Sequence, residues 1–101
     1  MESMLSELAM DLKKAAEKGN SASQANLGVM YAKGTGTKRD IVESFAWYSV
    51  AAAANKDKKV GNELWGIEAV SSLLSKQQLE KAKKLAQEYT KKYIAKPKLK
   101  N

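Results

Sequence analysis

The sequence predicts an all-α protein, an α-solenoid (α/α superhelix) of about five helices paired as antiparallel hairpins. Three observations carry this. Apolar residues recur at three- and four-residue intervals along most of the chain, and no credible strand interrupts them. Glycines and short capping signals fall at the ends of the periodic segments. Finally, Ala15-Ala16-Glu17-Lys18-Gly19 is echoed 36 residues later by Ala51-Ala52-Ala53-Ala54-Asn55. A fixed period in the thirties with helix signals marks stacked helical hairpins, which present extended concave surfaces.

The first helix is expected over Ser3 to Lys18, with Leu5, Leu8, Leu12 and Ala15/Ala16 on one apolar face. Gly19 ends it, since a left-handed residue commonly follows a helix. Ser21 with Gln24 three residues on reads as a capping box opening a second helix, about Ala22 to Lys33, which Gly34 stops. Residues 34–39 form a short loop. Asp40 with Glu43 repeats the capping-box spacing and opens a third helix, Ile41 to Ala54, with Asn55 as its stop signal. The fourth helix is expected over Asp57 to Leu74, with Val60, Leu64, Ile67 and Leu74 at helical spacing; Gly61 and Gly66 each cost it about 1 kcal/mol against Ala. Ser75 with Gln78 opens the fifth, Lys76 to Tyr93, with Leu79, Ala82, Leu85, Ala86 and Tyr89 on one side. Short connections make sequential helices antiparallel neighbours.

These elements group into one helical-repeat domain over residues 1–94. It has a half repeat over 3–19, a full repeat over about 22–55 and a closing hairpin over 57–94. Pro97 discourages continuation, and the Lys-rich tail 95–101 is expected to be disordered.

Residues 15–55 resemble the Sel-one-like repeat (SLR) family, relatives of tetratricopeptide repeats. The resemblance rests on Leu27-Gly28, Tyr31, Gly34, Gly36, Asp40, Trp47-Tyr48 and Ala51-Ala52. Ser23 and Ser44 stand where that family usually has Ala, and Asn55 where it has Gly. The fourth helix departs most: aligning Leu64 with Leu27, a shift of 37 residues, leaves Trp65 where the repeat has the small Gly28. The small residues Gly28, Ala32, Ala51 and Ala52 let helix axes approach toward the lower end of the roughly 8–10 Å range. Tyr31, Trp47 and Tyr48 then fill the gaps between hairpins.

The composition narrows the chemistry. The chain has no Cys and no His, which removes disulfides, thiolate metal sites and the commonest general base and metal ligand. Gly34-Thr35-Gly36-Thr37-Lys38 lacks the spacing and ending of a phosphate-binding loop, and no strand precedes it. Asp40/Glu43 are explained by capping, and Glu7/Asp11 and Glu63/Glu68 read as solvated faces without a partner base or metal cluster. Ser-x-x-Lys does not occur. The expectation is therefore a non-enzyme with no catalytic residues, no metal and no cofactor.

The candidate binding residues are Asn26, Met30 and Lys33. Their i, i+4, i+7 spacing places them in one stripe on the second helix, offset from its packing side. The equivalent stripe on the fourth helix is Glu63, Ile67 and Val70, with Trp65 near its edge. The family resemblance implies that the first helix of each hairpin lines the concave face, where ligands dock. The expected function is a protein-interaction adaptor that holds a peptide or protein partner there.

The alternative is a basic nucleic-acid-associated protein. The net charge is +7, and residues 56–101 supply it, with twelve Lys against five acids. Lys81, Lys83, Lys84, Lys91, Lys92 and the tail lysines could face an anionic partner. Only one basic residue is Arg, the residue best suited to bidentate phosphate and base recognition. Self-association is a third expectation, because about three repeats are usually needed for stability. No stretch approaches the ~20 apolar residues of a membrane span, and the N-terminus does not read as a signal peptide. A cytoplasmic location is expected, or a periplasmic or secreted one if a signal peptide has been removed.

Overall fold

The computed structural model describes residues 3–54 and 62–94, and among these every regular element is a helix. The order is α1 (Ser3–Glu17), α2 (Ser21–Lys33), α3 (Ile41–Ala54), α4 (Asn62–Ser71) and α5 (Lys76–Tyr93). The expected α3 and α5 match in full. The expected fourth helix is shorter at its C-terminal end, because Ser72–Leu74 turn toward α5 through Leu73 N–H to Val70 and Leu74 N–H to Ser71 carbonyl bonds. The parts of that helix expected over 57–61, the Asn55 stop signal and the tail 95–101 lie outside the described residues.

The helix ends follow local chemistry, with two corrections. Gly19 takes φ +101° and Gly34 φ +76°, left-handed values that close α1 and α2. The Gly34 N–H donates to the Met30 carbonyl at 2.7 Å. Ser75 and Gln78 form the complete capping box: the Gln78 N–H donates to Ser75 Oγ, and the Ser75 N–H donates to Gln78 Oε1. The box expected at Ser21 and Gln24 does not form. Asn20 is the N-cap, its Oδ1 accepting from the Ser23 N–H at 2.9 Å. Asn20 is extended as the chain leaves Gly19, so α2 starts one residue earlier and Gln24 turns into the interior. At α3 only half a box exists. Asp40 Oδ1 accepts from the Glu43 N–H, while the Glu43 carboxylate accepts the Tyr89 hydroxyl at 3.0 and 3.1 Å.

α3 is the centre of the fold. It packs against α2, α4 and α5, while α1 lies on α2 and touches α5. Residues Ser44 to Tyr48 are buried consecutively, as a helix covered on several sides requires. Ser44, which stands where the family resemblance expects Ala, donates its buried hydroxyl to the Gly28 carbonyl at 2.7 Å, so the extra polar atom is satisfied.

Tyr48 of α3 sets how closely α2 and α4 approach it. A methyl added to Gly28 would lie 3.1 Å from Cγ and Cδ2 of its ring, and one added to Gly66 would lie 2.7 Å from Cε1 and Cζ. One ring is therefore bracketed by two glycines, on α2 and α4. This corrects the repeat register. Gly66, not Trp65, is the counterpart of Gly28, so the shift is 38 residues. Gly66 lowers helix propensity through its backbone freedom, and it is needed there because a side chain would collide with Tyr48.

The core has two parts. One joins α3, α4 and α5 through Phe45, Ala46, Tyr48, Val70, Ala82 and Ala86. The other joins α1, α2 and α3 through Ala16, Leu27, Trp47 and Val50, with Tyr89 and Tyr93 of α5 closing over it. Trp47 is 1% exposed. Its ring centroid lies 4.8 Å from Tyr89 and 5.3 Å from Tyr93, the latter nearly parallel at 20°. On α1 the expected apolar face is rotated: Ala9, Leu12 and Ala16 turn inward, and Leu8 is 49% exposed.

Candidate interaction surface

The exposed face of α2 follows from its buried one. Ser23, Gln24, Leu27, Gly28 and Met30 are buried. The positions left outside are Ala22, Asn26, Val29 and Lys33, spaced i, i+4, i+7, i+11, which forms one continuous stripe. Asn26 and Lys33 therefore stand exposed, as the sequence implies. Met30 does not. It is 7% exposed and belongs to the core. The reason is angular: at about 100° per residue, Met30 lies about 40° from Asn26 toward Leu27, whereas Val29 lies about 60° the other way. Val29 is the apolar member of this surface, at 36% exposure.

On α4 the expected stripe is also displaced. Val70 is buried, and Ile67 is half-buried against the α3–α5 cluster. Both therefore serve packing. The side chains of Glu63 and Trp65 lie outside the described residues, although both positions sit in α4. The exposed positions are Glu68 and Ala69, followed by Ser72 just past the helix. The register alone does not account for this displacement: at a shift of 38 residues Ile67 answers to Val29 and Glu68 to the buried Met30, so α4 turns a different face outward from α2.

α2 and α4 are in contact. Their exposed positions offer an amide (Asn26), an ammonium (Lys33), a carboxylate (Glu68) and an apolar contact (Val29). These form no reactive constellation. Among the described residues no three acidic or metal-ligating side chains converge on a point. The shifted titratable groups are tyrosines. Burial raises Tyr31, Tyr48 and Tyr89, with Glu43 adding to the rise at Tyr31 and Tyr89. A raised phenol stays protonated at neutral pH and serves as a donor. No helix among the described residues is long and apolar enough to cross a membrane.

Sequence reasoning assigned Gln24 and Glu43 to caps and missed their longer reach. The Gln24 side chain is fully buried, and its Nε2 donates at 2.9 Å to both the Ala16 and the Tyr93 carbonyls, tying the ends of α1 and α5 to α2. The available signal was that Gln24 lies three residues before Leu27, on the inward side. The signal for Gly66 was the pair Trp65-Gly66, a large apolar residue before glycine that repeats Leu27-Gly28.

Antiparallel hairpins bracketing a shared aromatic, with small residues at the crossings, define an α-solenoid of the tetratricopeptide-like class. Comparison with known proteins gives the family. The Sel1 repeat profile matches residues 12–20 and 21–56. A solved structure of c5321, a protective antigen of uropathogenic Escherichia coli with an SLR fold, superposes with a TM-score of 0.82 at 30% identity. The match covers 96% of this chain and 22% of that one, so the chain spans about a fifth of the length of the structure it resembles. No curated protein matches the chain. This protein thus carries Sel1 repeats on an SLR fold, and folds of this family generally serve as protein-interaction scaffolds.

Proposed function

We propose that the chain is a non-catalytic interaction adaptor that holds a peptide or protein partner across the outer faces of α2 and α4. The observation that carries this reading is the exposed Ala22–Asn26–Val29–Lys33 stripe on a helix whose other sides are packed. Val29 supplies an apolar contact, Asn26 an amide for peptide backbone groups, and Lys33 charge selection. A cytoplasmic location is proposed with it.

The test is a nuclease-treated pull-down from host lysate at about 200 mM salt, where phosphate-driven binding is weakened. It compares the wild type with Val29→Glu and Asn26→Ala. The expected result is a specific protein retained by the wild type and lost by folded variants; equal retention by all three would refute the surface.

A second reading has its own observation. Lys76, Lys81, Lys83, Lys84, Lys91 and Lys92 of α5 are all exposed, against Glu80 and Glu88. This face would suit nucleic acid. Recovery of nucleic acid at low salt, lost between about 50 and 200 mM, would favour it.

A further inference from the structure

A cleft of about 230 Å³ opens between α1 and the segment joining α2 to α3. Ser6, Met10 and Lys13 line one wall, at i, i+4, i+7 along α1, and Leu27, Tyr31 and Thr37 line the other. Leu27 is buried and forms an apolar floor, while Met10 is 59% exposed and stands at the wall. Such an exposed, flexible methionine adapts its shape to what it contacts.

Ser6, Lys13, Tyr31 and Thr37 bring the polar groups of the cleft. Burial, Glu43 and more weakly Asp40 raise the Tyr31 phenol, while Lys13 and Thr37 pull it down. Lys13 forms no ion pair among the described residues. Among the described residues lining the cleft there is no carboxylate. Glu43 acts on Tyr31 but is already engaged by the Tyr89 hydroxyl. The volume falls below the roughly 300–1,000 Å³ of sites for drug-sized molecules and suits a single residue.

We propose that this cleft is a subsite for a carboxylate on a short apolar stem, the stem lying on Met10, Ala9 and Leu27 and the carboxylate accepting from Lys13, Ser6 and Thr37. An amine would face the Lys13 ammonium, and inorganic phosphate would leave the apolar floor unfilled. In a protein partner the group is either a chain-terminal residue or a glutamate side chain. The carboxylate subsite stands on the cleft alone. Only its delivery by a protein chain rests on the adaptor reading.

The experiment titrates the isotope-labelled full chain with N-acetyl-leucine, its amide, and N-acetyl-glutamate amide, following the Met10 methyl and Thr37 amide signals. The expected result is saturable binding of at least one acid at a Kd on the order of millimolar, as such small ligands allow. The leucine amide should bind about tenfold more weakly, and Lys13→Gln should weaken the acid by about tenfold, as loss of a charged hydrogen bond does. Lys13→Arg should restore it. Binding of the leucine acid alone identifies a chain terminus as the source, and binding of the glutamate derivative alone an internal side chain. Unmoved Met10 and Thr37 signals, equal binding of the leucine amide, or an unaffected folded Lys13→Gln would each overturn the proposal. Thr37→Val, expected to weaken the acid too, replaces Lys13→Gln should that variant fail to fold. Failure of Val29→Glu to release a partner would bear on the adaptor surface and leave this titration untouched.

Discussion

The α2–α3 hairpin and the pair α4 and α5 share Tyr48 and hold together differently. The α2–α3 hairpin has an internal polar tie, the Ser44 hydroxyl to the Gly28 carbonyl, and Gln24 ties it outward to Ala16 of α1 and Tyr93 of α5. It also contains the largest fully buried side chain, Trp47. α4 and α5 pack mainly on α3 rather than on each other, and α5 buries only alanines, Ala82 and Ala86. α4 docks through Val70 and through Gly66 on the Tyr48 ring, and α5 by way of Tyr89 on Glu43 and Tyr93 on Trp47. The first hairpin is shaped by its own repeat motif. The second is shaped by what it docks against, so the strongest tests act where they meet.

The largest effect is expected at Trp47. It touches both α5 tyrosines as well as the α1–α2 core, so Trp47→Ala should cost about 3–5 kcal/mol in urea unfolding. An unchanged midpoint would show that the hairpins do not meet there. Gln24→Leu should cost about 2 kcal/mol, because one buried and one part-buried carbonyl lose their donor. Hydrogen exchange should quicken at the ends of α1 and α5 together. If only α1 responds, Gln24 does not couple the hairpins.

The glycines sharpen the comparison. Gly66→Ala should destabilise by about 1–2 kcal/mol, since overpacking outweighs the ~1 kcal/mol gain in helix propensity. Gly28→Ala should cost less, as its methyl would meet Tyr48 at 3.1 rather than 2.7 Å. The reverse order would mean that Tyr48 is held by α4 less closely than by α2.

Tyr89→Phe should cost about 1 kcal/mol, the scale of one partly exposed hydrogen bond to a carboxylate. It should also change the alkaline limb. Burial and Glu43 raise the Tyr89 phenol above its unfolded value of 10. Its stabilisation is therefore present below pH 10 and is lost as pH rises toward the folded value. Wild-type stability should fall in that window, and Tyr89→Phe should flatten the fall; parallel curves would remove Tyr89 from the linkage. Smallest of all, Val29→Glu should shift stability by less than about 0.5 kcal/mol, because the residue lies on the outer face of α2.

Local signals made much of this protein legible. Gly19, Gly34 and the Ser75/Gln78 box gave helix ends because capping is settled within a few residues. Asn26 and Lys33 were legible as exposed because they lie opposite Leu27 and Gly28. Met30 was placed on the outer stripe and Val29 was passed over, because a helical wheel leaves positions at the rim ambiguous until a neighbour covers one of them. The α4 surface was misplaced because it was carried over from α2, whereas the face that α4 buries is set by α3 and α5, which the repeat pattern does not specify.

The sequence by itself determined the all-α class, the hairpin order and the Sel1 repeat. These rest on periodicity, capping and small residues at fixed spacing, all of which act over short stretches of chain. Only the tertiary structure decided that Gln24 and Glu43 reach toward α5 and that Gly28 and Gly66 bracket one ring. Those outcomes depend on which helices become neighbours. A side chain able to serve either a nearby cap or a distant helix is committed only once packing brings the distant partner within hydrogen-bond reach.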